Sequence, residues 1–122
     1  MKRPVHFEIL ADEPTKVADF YKEVFDWEIN TWGEGEHTYW LVTTGSDDEP
    51  GINGGIMGRE FDQAVINTLE VESLDDVLKK VEEAGGRKVF GPNEVPGVGI
   101  HAYFADVEGN LFGVMEPLPA TE

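Results

Sequence analysis

The side chains able to do chemistry in this sequence are few: three histidines, 25 acids and no cysteine. Without cysteine there is no disulfide, no thiolate metal site and no cysteine nucleophile, a usage that fits a reducing compartment. His6 and Glu8 stand two apart in Val5-His6-Phe7-Glu8-Ile9. Strand alternation puts them on one face and Val5, Phe7 and Ile9 on the other. An imidazole next to a carboxyl group is an acid–base pair. The same two groups are ligands for divalent metals. Thr68 and Glu70 share a face with Ile66 on a second strand, and His101 shares a strand face with Tyr103. One arrangement of these groups is a metal site of His6, Glu8, Glu70 and His101. Ser46 reads as a turn residue and Ser73 as a helix cap, so no serine triad is expected. His37 reads as a surface residue beside acidic turns. The stretch from Gly91 to Gly99 is rich in Gly and Pro and reads as a loop over a pocket mouth. It has neither the spacing nor the lysine of a phosphate-cradling loop.

These groups need a scaffold, and the sequence repeats one. Shifted by sixty positions, the two halves align without a gap: Val5 meets Val65, Ile9 meets Leu69, Val17 meets Val77 and Ile29 meets Val89. Each half begins with a strand and an amphipathic helix. In the first, Asp12 is the expected cap, Pro14 suits the first turn, and Val17, Phe20, Tyr21, Val24 and Phe25 form an apolar stripe. In the second, Ser73 with Asp76 resembles a capping box, Leu74, Val77, Leu78, Val81 and Ala84 form the stripe, and Gly85-Gly86 ends it. Three strands are expected after each helix: Trp27–Trp32, His37–Thr44 and Ile52–Met57, then Arg87–Phe90, Ile100–Ala105 and Leu111–Glu116. Gly55-Ile56-Met57 in the last strand of one half echoes Gly113-Val114-Met115 in the other. The expectation is a single α+β domain over residues 1–122, made of two βαβββ modules at about 1–60 and 61–122.

The opening strand with His6, the helix segment from Ala18 to Trp27, and the closing turn from Asp106 to Gly113 resemble the vicinal oxygen chelate superfamily of glyoxalases, bleomycin-resistance proteins and dioxygenases. The resemblance covers essentially the whole chain and implies a cup-shaped mixed sheet with helices outside and ligands inside. It also implies homodimers. Metalloenzymes of this superfamily take His or carboxylate ligands from the first and last strand of each module. By the repeat, those places here hold His6, Gly55, Ile66 and Gly113. Three of the four cannot bind metal, so the chain resembles the branch lacking the usual ligands. No metal or other cofactor is expected.

Glycine in a strand often marks the close approach of a ligand or a backbone. At Gly55 and Gly113 the two readings are a roomier cup and a tight strand crossing. Tyr39 and Trp40 are neighbours on a strand, so only one can face the cup; Trp40 is included in the candidate ligand set. That set is His6, Glu8, Trp40, Gly55, Thr68, Glu70, His101, Tyr103 and Gly113, with His6 and Glu8 as catalytic candidates. The net charge of −16 disfavours nucleic acid and anionic membrane as partners. It reads first as a solubility surface and, more sharply, as attraction for a cationic ligand. The resemblance implies a small organic molecule as partner, bound or else turned over by a lyase or isomerase of the glyoxalase type. No apolar run is long enough to cross a bilayer and the N-terminus lacks a secretory pattern, so a cytoplasmic location is expected.

Overall fold

A computed structural model describes residues 2–33 and 38–119. His37 and the start of the strand expected at His37–Thr44 lie outside the described residues. The chain divides into two compact units, His6–Ile66 and Asn67–Glu122 with Met1–Val5. In chain order the elements are β1 (Arg3–Ala11), α1 (Pro14–Phe25), β2 (Glu28–Trp32), β3 (Tyr39–Thr43) and β4 (Asn53–Gly58), then β5 (Val65–Glu70), α2 (Leu74–Glu83), β6 (Arg87–Val95), β7 (Gly99–Ala105) and β8 (Leu111–Pro117). Each unit is thus built on a βαβββ run, the α+β repeat read from the sequence. The strand order is β2-β3-β4-β1 in the first unit and β5-β8-β7-β6 in the second. Each set is mixed. β1 pairs parallel with β4 and β5 parallel with β8, while the remaining neighbours pair antiparallel.

Helix and sheet share one core in each unit. In the first, Ala18, Ile29, Val42 and Ile56 are buried, with Phe7, Ile9, Val17, Tyr21, Trp27 and Trp40 packed around them. In the second, Val71, Leu74, Ala102, Phe104 and Val114 are buried against Val77, Leu78, Val81 and Phe112. At ~1.5–3 kcal/mol for each large apolar side chain removed from water, these contacts fix which strand face meets the helix.

Several local expectations are corrected. Only one side of the α1 stripe is covered. Val17 and Tyr21 pack inward beside buried Ala18, whereas Phe20, Val24 and Phe25 are more than half exposed. At about 3.6 residues per turn Phe20 and Val24 lie well round the helix from Ala18, roughly 160° and 120° away, while Phe25 shares the Ala18 face but ends the helix. The N-cap of α1 is Glu13, without a side-chain cap, and Asp12 instead pairs with Arg59 at 3.7 Å. In α2, Ser73 caps as expected, accepting from Asp76 N at 3.2 Å. The first-turn nitrogen of Leu74 is held from outside the helix by Glu116 Oε1 at 2.9 Å. The stretch read as a loop from Gly91 is mostly strand. β6 runs on to Val95, with register shifts between Lys88 and Phe90 and between Phe90 and Asn93. Gly91, at φ +94°, makes the irregularity possible, because a Cβ there would meet the His101 carbonyl and Ala102.

Candidate functional site

β1 alternates as its sequence requires. Phe7 and Ile9 pack with the helix-side core, so His6 and Glu8 point to the opposite face. On that face a third residue joins them. The Tyr39 hydroxyl donates to Glu8 Oε2 at 2.8 Å and lies 3.0 Å from His6 Nε2. With its proton directed at Glu8, the phenol oxygen accepts from the Nε2–H tautomer of His6. The result is a chain of imidazole, phenol and carboxyl group, with Glu8 buried to 7% exposure.

β3 supplies Tyr39 by the same parity rule. Trp40 and Val42 belong to the helix-side core, which leaves Tyr39 and Leu41 on the other face. Trp40 is therefore corrected from cup residue to core residue, and its neighbour takes its place. β3 reads Tyr-Trp-Leu-Val-Thr, and its one marker of the open face is Thr43 at the strand's end, which shares the parity of Tyr39. The signal that points to Tyr39 is Gly55, since a glycine in a packed sheet can seat a large ring from the next strand.

The Gly54-Gly55 pair does this twice. A Cβ on Gly55 would run into Oη, Cζ and Cε1 of Tyr39. A Cβ on Gly54 would come within 2.7 Å of the Phe7 ring, on the other face. Two adjacent glycines thus each carry an aromatic ring, one per side of the sheet. The reading of Gly55 as empty space for a ligand is corrected, because Tyr39 fills that space. Gly113 has the corresponding place in the second unit. A Cβ there would come within 2.6 Å of Thr68 Oγ1 and 2.8 Å of His101 Nε2. Thr68 is 3% exposed and pairs with Gly113 across β5 and β8. His101 packs edge-on to Tyr103, ring centroids 4.5 Å apart. Glu70 is half-buried two residues beyond Thr68.

The structure thus joins His6 and Glu8 beside Gly55, and Thr68, His101 and Tyr103 about Gly113, each group in its own unit. Among the described residues no three His, Asp or Glu side chains form a group able to hold a metal ion. At the places where metalloenzymes of this fold carry ligands, Ile66 is a fully buried hydrocarbon, the space over Gly55 is taken by Tyr39, and Gly113 faces Thr68 and His101. These residues do not fit a divalent metal of that kind.

Burial holds the His6 imidazole below its ordinary value of 6.5, against the charge of Glu8, which pulls the other way. The sign for stability follows from which state takes up the proton first. As pH falls below the ordinary value, the unfolded chain is protonated at His6 while the folded one is not. The stability contributed by this group is full above that value and is lost as pH falls toward the folded-state value. His6→Gln removes the titration but keeps a polar side chain near Tyr39. The expected result is that the wild type loses stability relative to His6→Gln between about pH 8 and about pH 5. Urea unfolding of both proteins across that range measures it, and a constant difference would show that His6 does not titrate in a buried state.

The fold and these residues define a two-module protein of the glyoxalase type. A family model of the glyoxalase/bleomycin resistance protein/dioxygenase superfamily matches residues 3–114, and the chain belongs to that superfamily. In sequence it is 28% identical over 116 residues to "Putative glyoxylase CFP32" of Mycobacterium tuberculosis and of Mycobacterium bovis. That match covers 92% of this chain and 43% of those proteins, so the chain spans less than half the length of these relatives. In structure it is similar to methylmalonyl-CoA epimerase from Mycobacterium tuberculosis, with TM-score 0.68 and 14% identity over 95% of this chain and 88% of that one. A hypothetical protein from Bacillus halodurans superposes with TM-score 0.70 at 12% identity, covering 99% and 98%. At such identities the structural likeness concerns the fold alone. Among the described residues no helix is long and apolar enough to cross a membrane.

Proposed function

We propose that this protein binds a small organic molecule without a divalent metal, and that the His6–Tyr39–Glu8 chain is its polar anchor. The observation that carries the reading is the phenol hydroxyl shared between an imidazole and a buried carboxyl group. Buried polar groups linked in this way are pre-organised, and they present fixed donors and acceptors to a guest. The carboxyl group, in a chain of net charge −16, favours a ligand rich in hydrogen-bond donors, with cationic ones preferred. The reading includes a cytoplasmic homodimer, since exposed sheet edges and the apolar side chains Phe20, Val24 and Phe25 are surfaces a partner copy would cover.

A second reading is a metal-free lyase or isomerase. It is favoured by the depressed basicity of His6, because a neutral imidazole hydrogen-bonded through a phenol to a carboxyl group can pass a proton along that chain. In that case Glu8 and His6 are the acid–base groups and Tyr39 the bridge between them.

Both readings are tested by elemental analysis together with a thermal-shift screen of cationic and neutral metabolites, on the wild type and on Tyr39→Phe. The expected result is divalent metal well below one ion per chain, and a stabilising compound whose effect shrinks in Tyr39→Phe. One tightly held ion per chain that disappears in His6→Ala would overturn the metal-free reading.

A further inference from the structure

β2 brings to the anchor face a side chain that the preceding reading leaves unused. Ile29 lies in the helix-side core, so Glu28, Asn30 and Trp32 point the other way. That is the face of His6, Glu8 and Tyr39, because Trp32 pairs with Tyr39 across β2 and β3. Leu41, two residues beyond Tyr39, is on the same face and pairs with Gly55 on β4. All of these residues belong to the first unit.

Exposure sets this pair apart. Trp32 is 58% and Leu41 45% exposed, whereas Trp27 and Trp40 pack against the helix-side core. A tryptophan left mostly in water adds little to the fold. The repeat supplies an internal comparison. Sixty residues on from Trp32 and Leu41 stand Pro92 and His101, on β6 and β7, so the second unit forms the corresponding strand pair without a tryptophan. The space above Trp32 and Leu41 is open to solvent, and stacking on an indole needs one free face rather than a cavity.

Register gives the guest its shape. Glu8 and Leu41 both pair with Gly55, so they stand at one level of the sheet, two strand spacings or about 10 Å apart. Trp32 lies one strand further out. A molecule held at His6, Tyr39 and Glu8 therefore meets hydrocarbon and an indole on its β2 side. We propose that Trp32 and Leu41 are the specificity platform of the anchor site, and that the ligand is an extended amine whose far end is a flat aromatic group stacked on Trp32. The proposal rests on the reading of the His6–Tyr39–Glu8 chain as an anchor. It adds the part of the molecule that the anchor does not touch.

The probes are phenylbutylamine, heptylamine of similar length without a ring, and phenylbutanol with the ring but no charge. The proteins are the wild type, Trp32→Ala, Trp32→Phe and Tyr39→Phe, each checked for native secondary structure by circular dichroism. The readouts are dissociation constants from calorimetry and tryptophan emission. The wild type is expected to bind phenylbutylamine most tightly of the three, with a blue shift in emission as Trp32 is covered. Trp32→Ala should bind it about 3–10-fold more weakly, the worth of one aromatic pair, and should bind heptylamine as the wild type does. Trp32→Phe, which keeps a ring, should recover most of that loss. Tyr39→Phe should weaken both amines alike, and this arm reports on the anchor. Equal affinities of Trp32→Ala and the wild type for phenylbutylamine would overturn the platform, and the anchor would stand if Tyr39→Phe still weakened binding. Heptylamine bound by the wild type as tightly as phenylbutylamine would also overturn it, as would an absence of saturable binding of either amine. An unchanged Tyr39→Phe would remove the anchor, and the proposal with it.

Discussion

Gly55→Ala is expected to destabilise the protein by about 2–4 kcal/mol, with little of that loss remaining when Tyr39 is also alanine. Gly55 is not among the glycines with positive φ, so the backbone does not require glycine there. What excludes a side chain is the Tyr39 ring, whose hydroxyl end occupies the space a Cβ would need. The added methyl forces the ring aside, and the ring cannot leave without giving up its bonds to Glu8 and His6. Glu8, at 7% exposure, then loses a partner that water replaces poorly. Hydrogen bonds to charged groups contribute about 1.5–3 kcal/mol each, and this sets the size of the effect. In Tyr39→Ala the space is vacant, and the same methyl group adds only ordinary contact. Urea denaturation of the wild type, both single variants and the double variant closes the cycle. Additive losses would show that Gly55 and Tyr39 are independent, and that the ring is not what keeps position 55 a glycine. A carboxylate or imidazole at 55, the residue types that would restore a metal ligand, meets the same obstacle at its own Cβ.

The repeat was the most legible part of this sequence, because burial acts on periodicity. Phe7 and Ile9 at period two, and Leu74, Val77, Leu78 and Val81 at helical spacing, face the cores their patterns imply. Where several apolar residues competed for a limited face, the sequence said less. Phe20 and Val24 look as buriable as Val17 and Tyr21, and only their position round the helix separates them, while Phe25 stays exposed at the helix end. The site was legible by half. His6 and Glu8 were marked as polar residues in an otherwise apolar strand. Tyr39 was harder to place, because the parity of β3 is marked only by Thr43 at its end. At the glycines the sequence left a roomier cup and a tight strand crossing both open. A missing side chain looks like room in a one-dimensional sequence, whereas in the folded sheet the room over Gly55 belongs to Tyr39 and that over Gly54 to Phe7. Glu116, near the end of β8, holds the first turn of α2, a contact between residues 42 apart in sequence that no local pattern announces.

The residues on either side of the β1 backbone are expected to separate stability from binding. Phe7→Ala should destabilise the protein by about 3–5 kcal/mol, in the range of large aromatic truncations in a core. Its ring packs against Trp27 with centroids 5.9 Å apart and lies over Gly54, which has no side chain to move into the gap. Phe7 is half-buried, so the loss falls toward the lower part of that range. One position earlier the expectation reverses. His6→Ala removes one hydrogen bond to Tyr39 from the opposite face, where a typical net contribution is about 0.5–1.5 kcal/mol. It leaves the contact of Tyr39 with Glu8 in place. Its main effect should be on the ligand, seen as a reduced thermal shift with any compound that stabilises the wild type. The two variants differ by a single step along one strand, so chain position and expression context are shared, and only the face differs. Chemical denaturation measures the first effect and ligand-dependent melting the second. If His6→Ala proved as destabilising as Phe7→Ala, the imidazole would be part of the core, and the candidate site would have to be sought elsewhere.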